Sequence, residues 1–130
     1  NTKAMTTTEM VLDFLRKQGF CPEVDENNGS IYFKYQMTNF LFVNNSNDNE
    51  FFQLVMPHIC DVNEDNRGVL LEAANAVNQG YKVVKVCLFD DSVWLFFENF
   101  LDSSPDVSDI LPRALNALQG ACHEFYDKIR

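Results

Sequence analysis

Any chemistry in this chain would have to come from a few side chains: His58 and His123, the cysteines Cys21, Cys60, Cys87 and Cys122, and several acidic clusters. A nucleophilic cysteine needs an imidazole within hydrogen-bond reach. Cys122 and His123 adjoin in a predicted helix, so their side chains diverge by about 100° at 3.6 residues per turn. His58 and Cys60 share strand parity but stand roughly two rises of 3.3 Å apart. Neither pair makes a nucleophile. Both histidines read as surface or interface residues, since a catalytic histidine needs a positioned partner.

The acidic residues fall in turns, at Asp25-Glu26, Asp48, Glu50, Glu64-Asp65, Asp90-Asp91 and Asp102/Asp106/Asp109. Asp and Asn favour turns because they bond their own backbone, and no cluster has the spacing of a calcium loop. The cysteines are widely spaced with no C-x-x-C pair, so they read as buried free thiols rather than zinc ligands or a disulfide frame. A phosphate loop, a nucleophile elbow and a dinucleotide fingerprint are all missing. The expectation is a protein without catalytic residues, metal or cofactor.

Charge narrows the partners. Nineteen acidic residues stand against ten basic ones, for a net charge of −9. Binding to nucleic acid or an anionic membrane rests on Lys and Arg, and no basic cluster is present. A protein partner is the better expectation. No run is long and apolar enough to span a bilayer, and the polar stretch 1–8 lacks the apolar core of a signal peptide. Together with free thiols, this points to a cytoplasmic setting. Asn28-Gly29-Ser30 and Asn44-Asn45-Ser46 match the glycosylation sequon, but both lie in turn-like polar stretches and read as chance matches.

The 130 residues, 46% of them apolar and 12 of them Phe, suffice for one domain with its own core, residues 1–130. A first helix is predicted over about Thr8 to Gln18, capped by Thr7 or Thr8 and stopped by Gly19. A short segment from Phe20 to Val24 leads through an Asn28-Gly29 turn to a strand, Ile31 to Gln36. A return strand, Asn39 to Val43, follows a turn at Met37-Thr38. Pairing Tyr35 with Phe40 puts Ile31, Phe33, Phe40 and Phe42 on one face, and a two-residue or four-residue loop gives the same parity. Phe51 to Met56 reads as strand, with a continuation past Pro57 to Val62 left open, and Pro57 makes it an edge strand or one bulged there.

A second helix is expected from Arg67 to Gln79, with Asn63 or Asp65 as cap and Gly80 as stop. Its apolar face would be Val69, Leu70, Ala73, Ala74 and Val77. The last helix should span about Pro105 to Lys128, capped by Ser104, with Pro112 kinking it or splitting off its first turns. Ile110, Leu111, Ala114, Leu115, Leu118, Ala121, Cys122 and Phe125 mark its buried side.

Between these helices lie the clearest strands, Lys82 to Phe89 and Ser92 to Phe100. A two-residue turn at Asp90-Asp91 sets Leu88 against Val93, Val86 against Leu95 and Val84 against Phe97, all apolar and on one face. A three-residue loop would mix Lys85 with Phe97 and Val83 with Asn99 instead. The two-residue register sends Phe89, Cys87, Trp94 and Phe96 to the opposite face, with Lys85 and Glu98 among them. A solvated sheet face should be mainly polar. Either a helix or another protein must cover these aromatic rings, and the four residues are the candidate partner or dimer interface.

The fold class is therefore α+β: an antiparallel sheet of about five strands packed with three helices, in the order α-β-β-β-α-β-β-α. This order resembles the type III secretion chaperone fold. More narrowly, the chain resembles the YbjN-like group of bacterial sensory-transduction regulators. The resemblance rests on Ala73-Ala74-Asn75-Ala76-Val77-Asn78, Lys82-Val83-Val84-Lys85-Val86, Asp90-Asp91-Ser92-Val93, Glu98-Asn99-Phe100-Leu101 and the closing helix around Leu111 to Leu118. Pro112 and the Phe-rich first hairpin depart from it. It implies a small, acidic, often dimeric, non-enzymatic protein that binds a partner or client segment. Residues and resemblance together predict a protein-binding module of regulatory or chaperone type, acting as a homodimer through its sheet and apolar surface. The alternative is a small-ligand sensor with an apolar pocket between sheet and helices.

Overall fold

The computed structural model describes residues 5–130, so the first four residues of the polar N-terminal stretch lie outside it. The elements are α1 (Thr7–Lys17), β1 (Glu23–Val24), β2 (Ile31–Tyr35), β3 (Thr38–Phe42), β4 (Phe51–Asp61), α2 (Arg67–Gly80), β5 (Val84–Leu88), β6 (Ser92–Phe100) and α3 (Val107–Ile129). The strands form one antiparallel sheet in the order β1-β2-β3-β4-β6-β5. The α+β class and the three helices are as expected, and the two-residue β1 brings the strands to six. The core lies between the helices and one face of the sheet, where Ile31, Phe33, Phe40, Phe42, Phe52, Leu54, Val86, Val93, Leu95 and Phe97 are buried.

Local chemistry places each end. Thr6 caps α1 in a reciprocal capping box with Glu9, one residue before the predicted caps. The β2–β3 turn is Gln36-Met37, again one residue earlier than expected. Both residues have positive φ, as a turn matching the strand twist requires. Tyr35 therefore pairs with Thr38 and Phe33 with Phe40, which keeps the predicted parity and burial.

β4 runs unbroken through Pro57 and lies inside the sheet, between β3 and β6. It is not an edge strand. The missing donor of Pro57 is accommodated by the second expected device, a register shift between Met56 and Cys60 with His58 at φ 46°.

Several helix expectations need correction. Gly80 belongs to α2, which ends because Tyr81 turns extended. Val69 is 53% exposed, since only Leu70, Ala73, Ala74 and Val77 face the core. No side chain caps α2 at Asn66. Instead the Asn63 carboxamide accepts from the backbone N–H groups of Asp65 and Asn66, making the preceding turn. α3 begins at Val107 with Asp106, not Ser104, as its cap. It continues as one helix through Pro112, with no separate first segment. Its buried residues match the predicted stripe, with Ile110 and Cys122 half-buried at the margin.

The four cysteines are free, but they are not all buried. Cys21 is exposed because it lies just before the two-residue edge strand, and the others are half-buried.

Candidate functional site

The β5–β6 hairpin has the predicted register: Leu88 pairs with Val93, Val86 with Leu95 and Val84 with Phe97. Because side chains alternate between faces, Lys85, Cys87, Phe89, Trp94, Phe96 and Glu98 point away from the core. Among the described residues, no helix packs over them. Phe89 is 47% exposed, and Cys87, Trp94 and Phe96 are half-buried by one another and their neighbours.

The three rings form a cluster. Trp94 and Phe96 stack with centroids 6.4 Å apart and planes inclined 20°. Phe89 meets both edge-on, at 5.9 Å and 6.3 Å. The polar atom of Trp94 is already satisfied, since Nε1–H donates to Ser92 Oγ at 2.9 Å and Ser92 Oγ–H donates to Asp91 Oδ1 at 3.0 Å. What Trp94 presents outward is therefore apolar ring.

A polar belt bounds the cluster. Lys85 Nζ lies 5.4 Å from the Phe96 centroid and 2.7 Å from Glu98 Oε1. Gln53 Nε2 donates to the other Glu98 oxygen at 2.7 Å. The hydrogen bond to Glu98 raises the Lys85 pKa against the opposing effect of burial. Burial pushes the Cys87 thiol up, Lys85 pulls it down and Glu98 adds to the rise. Cys87 is accordingly a protonated, weakly polar side chain and no activated nucleophile.

The open face extends further than its hairpin suggested. Cross-strand pairing runs Tyr32–Leu41–Val55–Phe96–Lys85 in one row across β2, β3, β4, β6 and β5. Val55 is buried on this face by its neighbours alone. Beyond the belt, Phe51 and Phe100 pair at 5.9 Å, and Phe100 is 81% exposed. Tyr32, Leu41, Val55, Phe51 and Phe100 were missed because their membership depends on β3, β4 and β6 being neighbours. The only local signal was aromatic residues of like parity.

Elsewhere the chemistry is sparse. His58 Nε2 lies 2.6 Å from Asp61 Oδ1, and His123 pairs with Asp127 on α3 at 3.4 Å, all on the surface. A His–Asp pair can hold an imidazole in place, but an acyl-transfer site also needs a nucleophile beside it. Both thiols on this side of the molecule are raised, Cys60 by burial and then Asp61, and Cys122 to about 11 by burial and then Cys60. Tyr126 donates its hydroxyl to the Ile59 carbonyl. Among the described residues, no group of three His, Cys, Asp or Glu side chains could hold a metal ion, and no helix is long and apolar enough to cross a membrane.

A depression of about 600 Å³ is not between sheet and helices. It lies at the β1–β2–β3 end, lined among others by Phe20, Tyr32, Lys34 and Pro57.

Fold and site thus define a class: an α+β protein with three helices on one face of its sheet and an aromatic surface on the other. Residues 7–130 match the model of the YbjN family, described as "Putative bacterial sensory transduction regulator", and the chain belongs to that family. The crystal structure of E. coli YbjN, described as a putative transcription regulator, has the same fold. It superposes with a TM-score of 0.69 over 95% of this chain and 93% of that one, at 8% sequence identity. A search of curated proteins gives no significant match.

Proposed function

We propose that this regulator-family protein is non-enzymatic and works by binding protein through the open face of its sheet, in the first place by pairing with a second copy of itself. The observation that supports the reading is the ring cluster of Phe89, Trp94 and Phe96 on a face over which no helix of the chain packs. Aromatic anchors bounded by a polar belt are the usual centre of a protein interface.

Size permits a second copy and charge favours it. The strand residues, each covering about 3.3 Å by 4.8 Å, give a face of roughly 600 Å², to which loops at the rim would have to add to reach the roughly 800 Å² per partner of a standard interface. The face carries Lys34 and Lys85 against Glu23, Asp61 and Glu98. Most of the −9 net charge therefore lies elsewhere, and like can meet like at little electrostatic cost. Lys85 and Glu98 can also exchange partners across a two-fold axis, which makes the surface self-complementary.

The test is the oligomeric state of the Trp94→Ser/Phe96→Ser variant by sedimentation equilibrium, with far-UV circular dichroism as the folding control. Dimeric wild type and a folded monomeric variant support the reading. A folded variant with the wild-type mass overturns it, and so does a wild type that stays monomeric at high concentration.

A further inference from the structure

Both edges of the sheet are covered in part, by different means. At the β5 edge, Val86 turns both backbone groups outward, and the Asn78 carboxamide on α2 takes both. Its Oδ1 accepts from Val86 N–H at 2.7 Å and its Nδ2 donates to the Val86 carbonyl at 3.2 Å. Arg67, on the first turn of α2, donates to the carbonyls of Phe89 and Asp90. At the middle of this edge, side chains thus stand in for a neighbouring strand.

The β2 edge is closed only in part. The Gln36-Met37 turn ends on the Tyr35–Thr38 pair, so alternation sends the backbone groups of Tyr35, Phe33 and Ile31 to β3. Those of Ser30, Tyr32 and Lys34 then face the other way. Ser30 is met by Asp25 N–H at 2.8 Å, and Tyr32 by Glu23 of β1. β1 pairs only two residues, and among the described residues none pairs with Lys34 from this side. Beside Lys34 the chain turns away at Cys21 and Phe20, leaving the 600 Å³ depression. The Phe20 ring stands over Phe33 and Tyr35, at 5.9 Å and 5.8 Å.

We propose that this stretch of β2 accepts an extended peptide as an added strand, hydrogen-bonded to the Lys34 backbone, with one apolar side chain seated in the depression. Strand addition supplies affinity through the main chain and selectivity through alternate side chains. A peptide with basic ends suits a chain of net charge −9. The site lies at the β2 end of the sheet, away from the aromatic cluster on β6 and β5, although Glu23, Tyr32 and Lys34 also belong to the open face.

The probe is a panel of seven-residue peptides alternating threonine with phenylalanine, leucine or valine, each with a lysine at both ends. Binding is followed by amide chemical shifts and hydrogen exchange of the folded protein. At least one peptide should shift and protect the Lys34 amide. Its affinity should fall roughly fivefold or more in Lys34→Pro, which removes the outward donor and leaves the β2–β3 ladder intact, as tolerated at an edge. Lys34→Ala should keep the binding. If Lys34→Pro unfolds, N-methylation of the peptide residue opposite Lys34 is the equivalent test and should weaken binding to wild type. No response from any peptide overturns the proposal. So does binding insensitive to both changes, as expected of an occupant held in the depression by side chains alone. A change in oligomeric state in Lys34→Pro would assign the edge to a second copy and also overturns it. The Trp94→Ser/Phe96→Ser variant should still bind peptide, so this reading and that of the sheet face fail separately.

Discussion

Asn78 and Val86 meet as if they were partners in a ladder: one side-chain amide accepts from the backbone N–H and donates to the backbone carbonyl of the same residue. The contact ties α2 to the strand that carries the aromatic face. It also occupies the central outward-facing position of β5, where a foreign strand could pair.

Asn78→Ala should therefore act twice. Two backbone groups lose their partner, which costs about 1–3 kcal/mol of unfolding free energy in a urea titration. The exposed edge should also make the protein self-associate at high concentration, as read by light scattering. Unchanged stability and scattering would show that solvent replaces the amide without loss.

Gly29→Ala should destabilise more than Gly19→Ala. Both glycines have positive φ, 76° and 87°, where an L-residue costs roughly 1–2 kcal/mol. A Cβ at Gly29 would also come within 2.7 Å of Asn44 Nδ2, while at Gly19 nothing lies within 4 Å. That Nδ2 donates to the Asn28 carbonyl at 2.8 Å, and Asn44 Oδ1 accepts from the Thr8 hydroxyl, so the β1–β2 turn is linked to α1. Denaturation midpoints of the two variants isolate this contact.

Stability should fall in alkali. Burial, and then Cys60, pushes Cys122 up to about 11 from 9.0. Burial, followed by Cys122 and Cys60, pushes Tyr126 up to about 12 from 10.0. Both acids hold their protons longer in the folded state, so their contribution is complete below pH 9 and lost as pH rises through the folded values. Melting temperatures should be level from pH 7 to 9 and decline between pH 9 and 12. Cys122→Ser should shift the start of the decline toward the Tyr126 range.

The most legible part of the sequence was the β5–β6 hairpin. A three-residue loop would have set Lys85 against Phe97, so the hydrophobic pattern favoured the two-residue turn at Asp90-Asp91. The faces of α3 and of the first hairpin were readable for the same reason, as apolar period. The neighbours of β4 were not legible. Pro57 argues against a central strand, and only the bulge at His58, a tertiary accommodation, reconciles the two. Without the β3–β4–β6 adjacency, Val55, Leu41 and the Phe51–Phe100 pair could not be joined to Trp94. Turn ends slipped by a residue where Gln36 and Met37 took positive φ without glycine to announce it. The candidate site was found where pattern is local and half-found where it depends on strand order.

The central claim is that Trp94 lies at a self-association surface. Trp94 is the only tryptophan in the chain, so its fluorescence reports on that surface alone. The direct measurement is acrylamide quenching of this fluorescence across a dilution series spanning high to low protein concentration. The account predicts a protected, blue-shifted indole when concentrated, with quenching that rises on dilution along the same curve as the fall in mass by light scattering. Quenching that stays constant while the mass falls would contradict it by placing the dimer contact elsewhere. Quenching and mass that both stay constant at the monomer value would contradict it by removing the dimer.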